Sequence, residues 1–155
     1  MMQKKIFFLL FFLFLSSCGY EAIYSQKNSV NYNFSISELN LIGDREINLR
    51  IKQRLKNYTL NQSNKDFKVK IYSTSAKIIS AKNTSGDATS FKNTVTASVE
   101  VSMNAKFKNS FIINESFNYN IINNKFSLKR YEREIKNNLA QTVTDKVIFK
   151  LSNIQ

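Results

Sequence analysis

The 155-residue chain has no histidine, proline or tryptophan, a single cysteine and only three glycines. Without histidine, and with one thiol, it lacks the usual ligand sets for zinc or copper and the commonest general base. No HExxH, GxSxG or Walker-type loop occurs. Glu132 and Glu134 stand close in sequence, but two residues apart on a helix they point to different sides and do not form an acid/base pair. The expectation is therefore a protein that is not an enzyme and holds neither metal nor cofactor. One cysteine also rules out an intrachain disulfide framework.

The start of the chain is a three-part export signal. Lys4 and Lys5 give a positive opening, Ile6 to Leu15 is an unbroken apolar run of ten residues, and Ser16-Ser17 precedes Cys18. Ten apolar residues are half of the ~20 needed to span a bilayer as helix, so the run reads as a signal peptide over residues 1–17 and not as a membrane anchor. Leu15-Ser16-Ser17-Cys18 resembles the lipobox of bacterial lipoproteins. That resemblance implies lipidation at Cys18, cleavage before it, and attachment by more than one acyl chain, since a single chain gives only marginal membrane binding. Gly19-Tyr20 stands where lipoproteins kept in the inner membrane often carry Asp, which favours the inner leaflet of an outer membrane, facing the periplasm. Residues 18–30 read as a lipidated tether, and residues 31–155 are enough for one domain.

The chain carries 23 Lys and Arg against 11 Asp and Glu, a formal net charge of +12. Loss of Lys4 and Lys5 with the signal leaves about +10. Such a balance attracts anions, and an exported lipoprotein meets acidic lipid headgroups or phosphorylated glycolipid, not nucleic acid. Lysine far outnumbers arginine and asparagine is abundant, a bias that AT-rich codons would also produce without any ligand.

Periodicity predicts the elements. Tyr32, Phe34 and Ile36 alternate with polar residues, with Leu39 and Leu41 extending the same phase, so a strand is expected over residues 31–41. Gly43-Asp44 offers a turn and an N-cap; Ile47, Ile51, Leu55 and Tyr58 then line one face of a helix from about Asp44 to Tyr58, with Arg50, Lys52, Arg54 and Lys56 on the other. Phe67, Val69 and Ile71 open a long or bent strand that resumes from Ala76 to Ala81. Lys82 to Lys92 is expected to project as a turn around Gly86-Asp87. Every odd residue from Val95 to Phe107 is apolar and every even one polar. After a connection at Lys108-Asn109-Ser110 the rule continues to Ile121, with Glu115 as exception, so the two segments form a hairpin. Leu128, Tyr131, Ile135, Leu139, Val143 and Val147 then describe a long amphipathic helix ending near Leu151, with Ser127 as its N-cap. The order β-α-β-β-β-α predicts an α+β domain, a single sheet of about four strands with two helices on one face.

This order resembles the LPS-assembly lipoprotein family LptE, in a divergent form. The matching parts are Cys18-Gly19-Tyr20, the first strand followed by Asp44-Arg45 and the first helix, Ser85-Gly86-Asp87-Ala88-Thr89 opening the strand to Phe107, and a charged last helix ending Val147-Ile148-Phe149-Lys150-Leu151. They spread over nearly the whole chain after the signal. The resemblance implies a one-to-one plug inside the β-barrel LptD, aiding barrel assembly and insertion of lipopolysaccharide into the outer leaflet. It further implies lipopolysaccharide binding through basic residues, here Lys68, Lys70, Lys77, Lys82 and Lys92, and barrel contact through the Ser85 to Thr89 loop. The other readings are an accessory lipoprotein of a phospholipid transport system and an envelope lipoprotein with no ligand. Each of these lysines also reads as an ordinary solvated surface charge.

Overall fold

The strongest alternation in the sequence builds the centre of the sheet. In a computed structural model, which describes residues 32–103 and 107–154, the odd residues Val95, Ala97, Val99 and Val101 are all buried on one face of a strand. The export signal, the Cys18 lipidation site and the tether lie outside the described residues. The elements are β1 (Ser35–Gly43), α1 (Arg45–Leu60), β2 (Asp66–Lys82), β3 (Ala88–Met103), β4 (Phe107–Asn120) and α2 (Lys125–Ser152). They form one four-stranded sheet in the order β1-β2-β3-β4. Both helices pack on one face of it, the α+β architecture the periodicity predicts.

β1 runs parallel to β2, whereas β2–β3 and β3–β4 are antiparallel. A parallel neighbour needs a crossover, and α1 supplies it. β1 occupies Ser35–Gly43 instead of residues 31–41, and its two apolar sets are out of phase with each other. Ile36 is even and Leu39 odd, so no regular strand turns both toward the helices. A register shift between Ile36 and Glu38 absorbs the extra residue. This β-bulge lets Ile36, Leu39 and Leu41 all join the core.

α1 forms as its spacing predicts. Asp44 is the N-cap, accepting from the N–H groups of Glu46 and Ile47 at 3.0 and 3.2 Å. Ile47, Ile51, Leu55 and Tyr58 are the residues it buries. α2 starts earlier than Ser127: its N-cap is Asn124, whose side chain accepts from Phe126 N and Ser127 N at 3.0 and 2.9 Å. Both residue types cap well, so local chemistry alone does not choose between them.

Two predicted connections move. The β3–β4 register pairs Met103 with Phe107 and Ser102 with Lys108, so Lys108-Asn109-Ser110 belongs to β4 and is not the turn. The turn of the β2–β3 hairpin covers only residues 83–87, because β3 begins at Ala88 and places Ala88 to Lys92 in the sheet.

The molecule has two unequal halves along its strands. From Asp66 to Ser73, β2 has β1 beside it and its odd residues buried; from Thr74 to Lys82 it has no β1 neighbour and every residue is exposed. The exit of β1 is set at Gly43, whose φ is +104°. A Cβ there would stand 2.0 Å from the carbonyl oxygen of Ser73.

Candidate functional site

The five lysines singled out in the sequence do not form one cluster. Lys68 and Lys70 lie in even positions of β2, on the face away from the helices, where Lys68 pairs with Glu38 at 3.1 Å and Lys70 with Glu100 at 3.7 Å. Lys77 sits on the opposite, helix-facing side. Its ammonium lies 2.5 Å from Glu132 of α2 and 3.9 Å from the centre of the Phe91 ring. Lys92 faces out on the open side across from Ile78, and Lys82 ends β2 opposite Ala88. From Lys70 to the level of Lys92 is about 26 Å along the strand at ~3.3 Å per residue. Lys68 and Lys70 are neighbours at one end of the open face, and Lys82 and Lys92 lie at the other, with the hairpin turn beside them. Neither Lys82 nor Lys92 has an ion-pair partner among the described residues.

The hairpin tip is held by its own atoms. Asn83 N–H donates to Asp87 O at 2.9 Å, Gly86 N–H to Asn83 O at 3.0 Å, and Asp87 N–H to the Asn83 side chain at 2.8 Å. Gly86 has a φ of +89°. Ser85, Gly86 and Asp87 therefore make a closed, exposed turn, while Ala88 and Thr89 begin β3. Ile78 and Ile79 just below the tip are 57% and 48% exposed, so this end presents apolar side chains together with Lys82 and Lys92.

The open face of the sheet is a hydroxyl and amide surface. Across its middle the facing rows are Thr74, Thr96 and Asn114, then Ala76, Thr94 and Ser116. One mixed row interrupts them, where Tyr72 and Ile112 stand exposed on either side of Ser98. Among the described side chains, the charges at its lower end are the two ion pairs already named.

Two polar nodes on the helix side escaped the sequence reading. In the first, Glu132 accepts from both Lys77 and the Tyr119 hydroxyl, the latter at 2.9 Å, beside the Phe91 and Tyr131 rings. Burial, then the bond to Glu132 and its charge, push the Tyr119 hydroxyl above the usual tyrosine range. In the second, Lys136 bridges Asp44 at 2.6 Å and Glu46 at 3.0 Å, and Ser75 donates to Asp44 at 2.9 Å. Burial raises the Asp44 carboxyl, but the bonds from Lys136, Ile47 N–H and Ser75 outweigh it and hold the group below the usual carboxylate value. Burial lowers Lys136, and its two carboxylate partners outweigh that and raise it. This node ties α1, α2 and β2 together. Glu115, the exception in the alternation of β4, pairs with Lys146 of α2. Of the two sequence-adjacent carboxylates, Glu132 turns inward to these partners and Glu134 stays exposed.

Among the described residues no group of three or more acidic, histidine or cysteine side chains could hold a metal ion. No described helix is long and apolar enough to cross a membrane. What the arrangement offers is surface: a polar sheet face, a basic and partly apolar hairpin end, and a charged helix layer.

No protein-family model matches the chain, and no curated protein matches it significantly. Solved structures do. The crystal structure of the rare lipoprotein B from Shewanella oneidensis superposes with a TM-score of 0.60 at 11% identity, over 74% of this chain and 93% of that one. The solution structure of an uncharacterized lipoprotein B from Nitrosomonas europaea gives 0.56 at 10% identity, over 77% and 83%. At such identities the likeness is one of fold: the α+β sheet-and-two-helix domain of this chain is a fold that these two lipoproteins also adopt.

Proposed function

We propose that this chain is a lipid-anchored, non-enzymatic assembly protein of the outer membrane, held on the periplasmic side by acyl chains at Cys18. It acts as a one-to-one plug within an LptD-like β-barrel, supporting the barrel's assembly and the insertion of lipopolysaccharide into the outer leaflet. The observation that carries this reading is the division of the sheet into a filled side and a polar side. Between sheet and helices Ile47, Ile51, Leu55, Ile71, Val143 and Val147 are fully buried. The other face is mostly Ser, Thr and Asn with paired charges at its lower end, crossed by one row in which Ile42, Tyr72 and Ile112 stand exposed. A lipid carrier needs an apolar cavity open to solvent, whereas a plug needs a rigid core and an outer surface suited to a polar lumen. The lipobox at Leu15 to Cys18 and the fold shared with the two lipoproteins support the same placement.

Lipopolysaccharide contact belongs at the hairpin end. Lys82 and Lys92 supply unpaired point charges for phosphate, and Ile78, in register with Lys92 on the open face, supplies apolar contact beside it. Lys68, Lys70 and Lys77 already neutralise carboxylates, which makes them weaker candidates. Depletion of the chain in its own cell, complemented by wild type or by Cys18→Ser, tests the reading. Loss of assembled barrel and of surface lipopolysaccharide on depletion, restored by wild type and poorly by the unlipidated variant, is expected. Normal barrel and lipopolysaccharide levels in depleted cells would exclude the role.

A further inference from the structure

The charges of this protein are sorted by layer. All five arginines of the chain lie on the two helices and none on the sheet, despite a background in which lysine is the common cation. Arg45, Lys52 and Lys56 of α1 and Lys129, Arg130 and Arg133 of α2 are exposed and have no ion-pair partner among the described residues. On α1 they recur at spacings of seven and four, and on α2 at three and four, so each set forms one stripe away from the buried arc. The carboxylates of the helices are nearly all spoken for: Glu46 by Lys136, Glu132 by Lys77, Asp145 by Arg54 at 2.8 Å, leaving Glu134 alone.

Between the helices runs a depression lined by Arg50, Gln53, Arg54, Asn137, Asn138 and Gln141, with the carboxylate of Glu134 on its wall and Arg54 paired to Asp145, so that Arg50 is its one guanidinium without a carboxylate partner among the described residues. Arg50 Nε donates to Asn137 at 3.1 Å. Guanidinium and amide donors side by side suit carboxylates, which take the planar arginine fork in two parallel bonds. The open sheet face carries the opposite character, hydroxyls and amides with its lower charges paired.

We infer that the outward face of the helix layer is a docking surface for an acidic protein surface. Its partner is a wall rich in Asp and Glu, and the sheet's open face, polar but with its lower charges paired, makes the weaker contact with the lumen. The inference rests on the assembly reading for the identity of the partner, the barrel. A lipid surface fits less well, because membrane-lying helices join basic residues to a continuous apolar face. Here the exposed apolar residues of the helices, Leu49, Leu60, Phe126 and Phe149, stand singly at well-separated positions.

The test uses the full lipidated chain in its native envelope, with a photo-crosslinking residue at Leu49 on the helix layer or at Ile112 on the open face. Alongside it, barrel recovery is compared for Arg45→Glu/Lys52→Glu/Arg133→Glu and for the matching glutamine triple, with thermal melts to verify folding. The inference expects mass-identified barrel adducts from Leu49, at sites flanked by acidic residues, and few from Ile112. It expects barrel recovery to fall about tenfold in the glutamate triple, less in the glutamine triple, and to weaken with salt. Barrel adducts from Ile112 but not Leu49, with the reversal harmless, would overturn the inference and leave the assembly reading intact. No barrel adduct from either position would overturn both. Lipid adducts alone from Leu49, with the reversal abolishing binding to phosphatidylglycerol vesicles, would replace the acidic protein with a membrane.

Discussion

Gly43 and Gly86 both hold a positive φ, and substitution separates what each is for. At Gly43 an added Cβ meets the Ser73 carbonyl oxygen at 2.0 Å, a backbone atom that cannot yield without unpairing β1 from β2. Gly86 has nothing within 4 Å of the same position. Gly86→Ala should cost only the left-handed conformation, about 1–2 kcal/mol, while Gly43→Ala adds a clash and should cost about 3 kcal/mol or more. Urea denaturation of the two variants measures the difference. The sequence reading placed turns at both glycines; nothing local could show that one of them is pressed against a strand thirty residues later.

The Asp44–Lys136 pair has a defined pH signature. Asp44 is held below its ordinary value of 3.8, so its contribution is present above that pH and is lost as pH falls through the folded-state value. Lys136 is raised above 10.5, so its contribution is present below that pH and lost as pH rises through its folded value. Asn caps a helix about as well as Asp, so Asp44→Asn keeps the cap and removes the charge together with the Oδ2 acceptor that Ser75 and Lys136 use. The variant should be less stable by about 1–2 kcal/mol at neutral pH, with the gap closing in acid. Denaturation at a series of pH values shows whether it does.

At the scale of elements, what was legible followed from periods that tertiary contacts did not disturb. The phase of β3, the buried stripe of α1 and the long amphipathic α2 were all written in the spacing of apolar residues. The bulge in β1 was legible in part: Ile36 is even and Leu39 odd, so the two apolar sets do not share a phase as expected, and pairing with β2 shows that a bulge between Ile36 and Glu38 absorbs the extra residue. The β3–β4 turn was misplaced because Lys108-Asn109-Ser110 has turn-like composition, whereas register with β3 decides. The five-lysine site fared similarly: composition found the lysines, but strand parity puts Lys77 on the face opposite Lys68 and Lys70. The hairpin end gives the element-scale prediction. Lys82→Glu with Lys92→Glu should lower binding of lipopolysaccharide to the lipidated protein several-fold more than Lys68→Glu with Lys70→Glu, whose lysines already face carboxylates, as read by co-purified lipopolysaccharide. Equal effects would remove the hairpin from the lipopolysaccharide contact surface.

As a whole the molecule is layered by chemistry: a polar sheet face, an apolar interior, and a helix layer with excess positive charge. The interior explains why a chain without disulfides or proline can be rigid. Strand pairing, both helix caps and the Lys136 and Glu132 nodes satisfy its polar groups, and among the described residues no buried side-chain nitrogen or oxygen lacks a partner. Function is less legible than fold in such a protein, because its chemistry is spread over surfaces instead of gathered in a site.

The central claim is that this chain is one half of a stoichiometric complex with an outer-membrane barrel. Affinity purification of the tagged, lipidated protein from outer membranes in mild detergent, with mass identification of what co-purifies, tests it most directly. The account predicts one large β-barrel protein at a one-to-one ratio. Recovery of the chain alone, or with components of a phospholipid transporter, would contradict it.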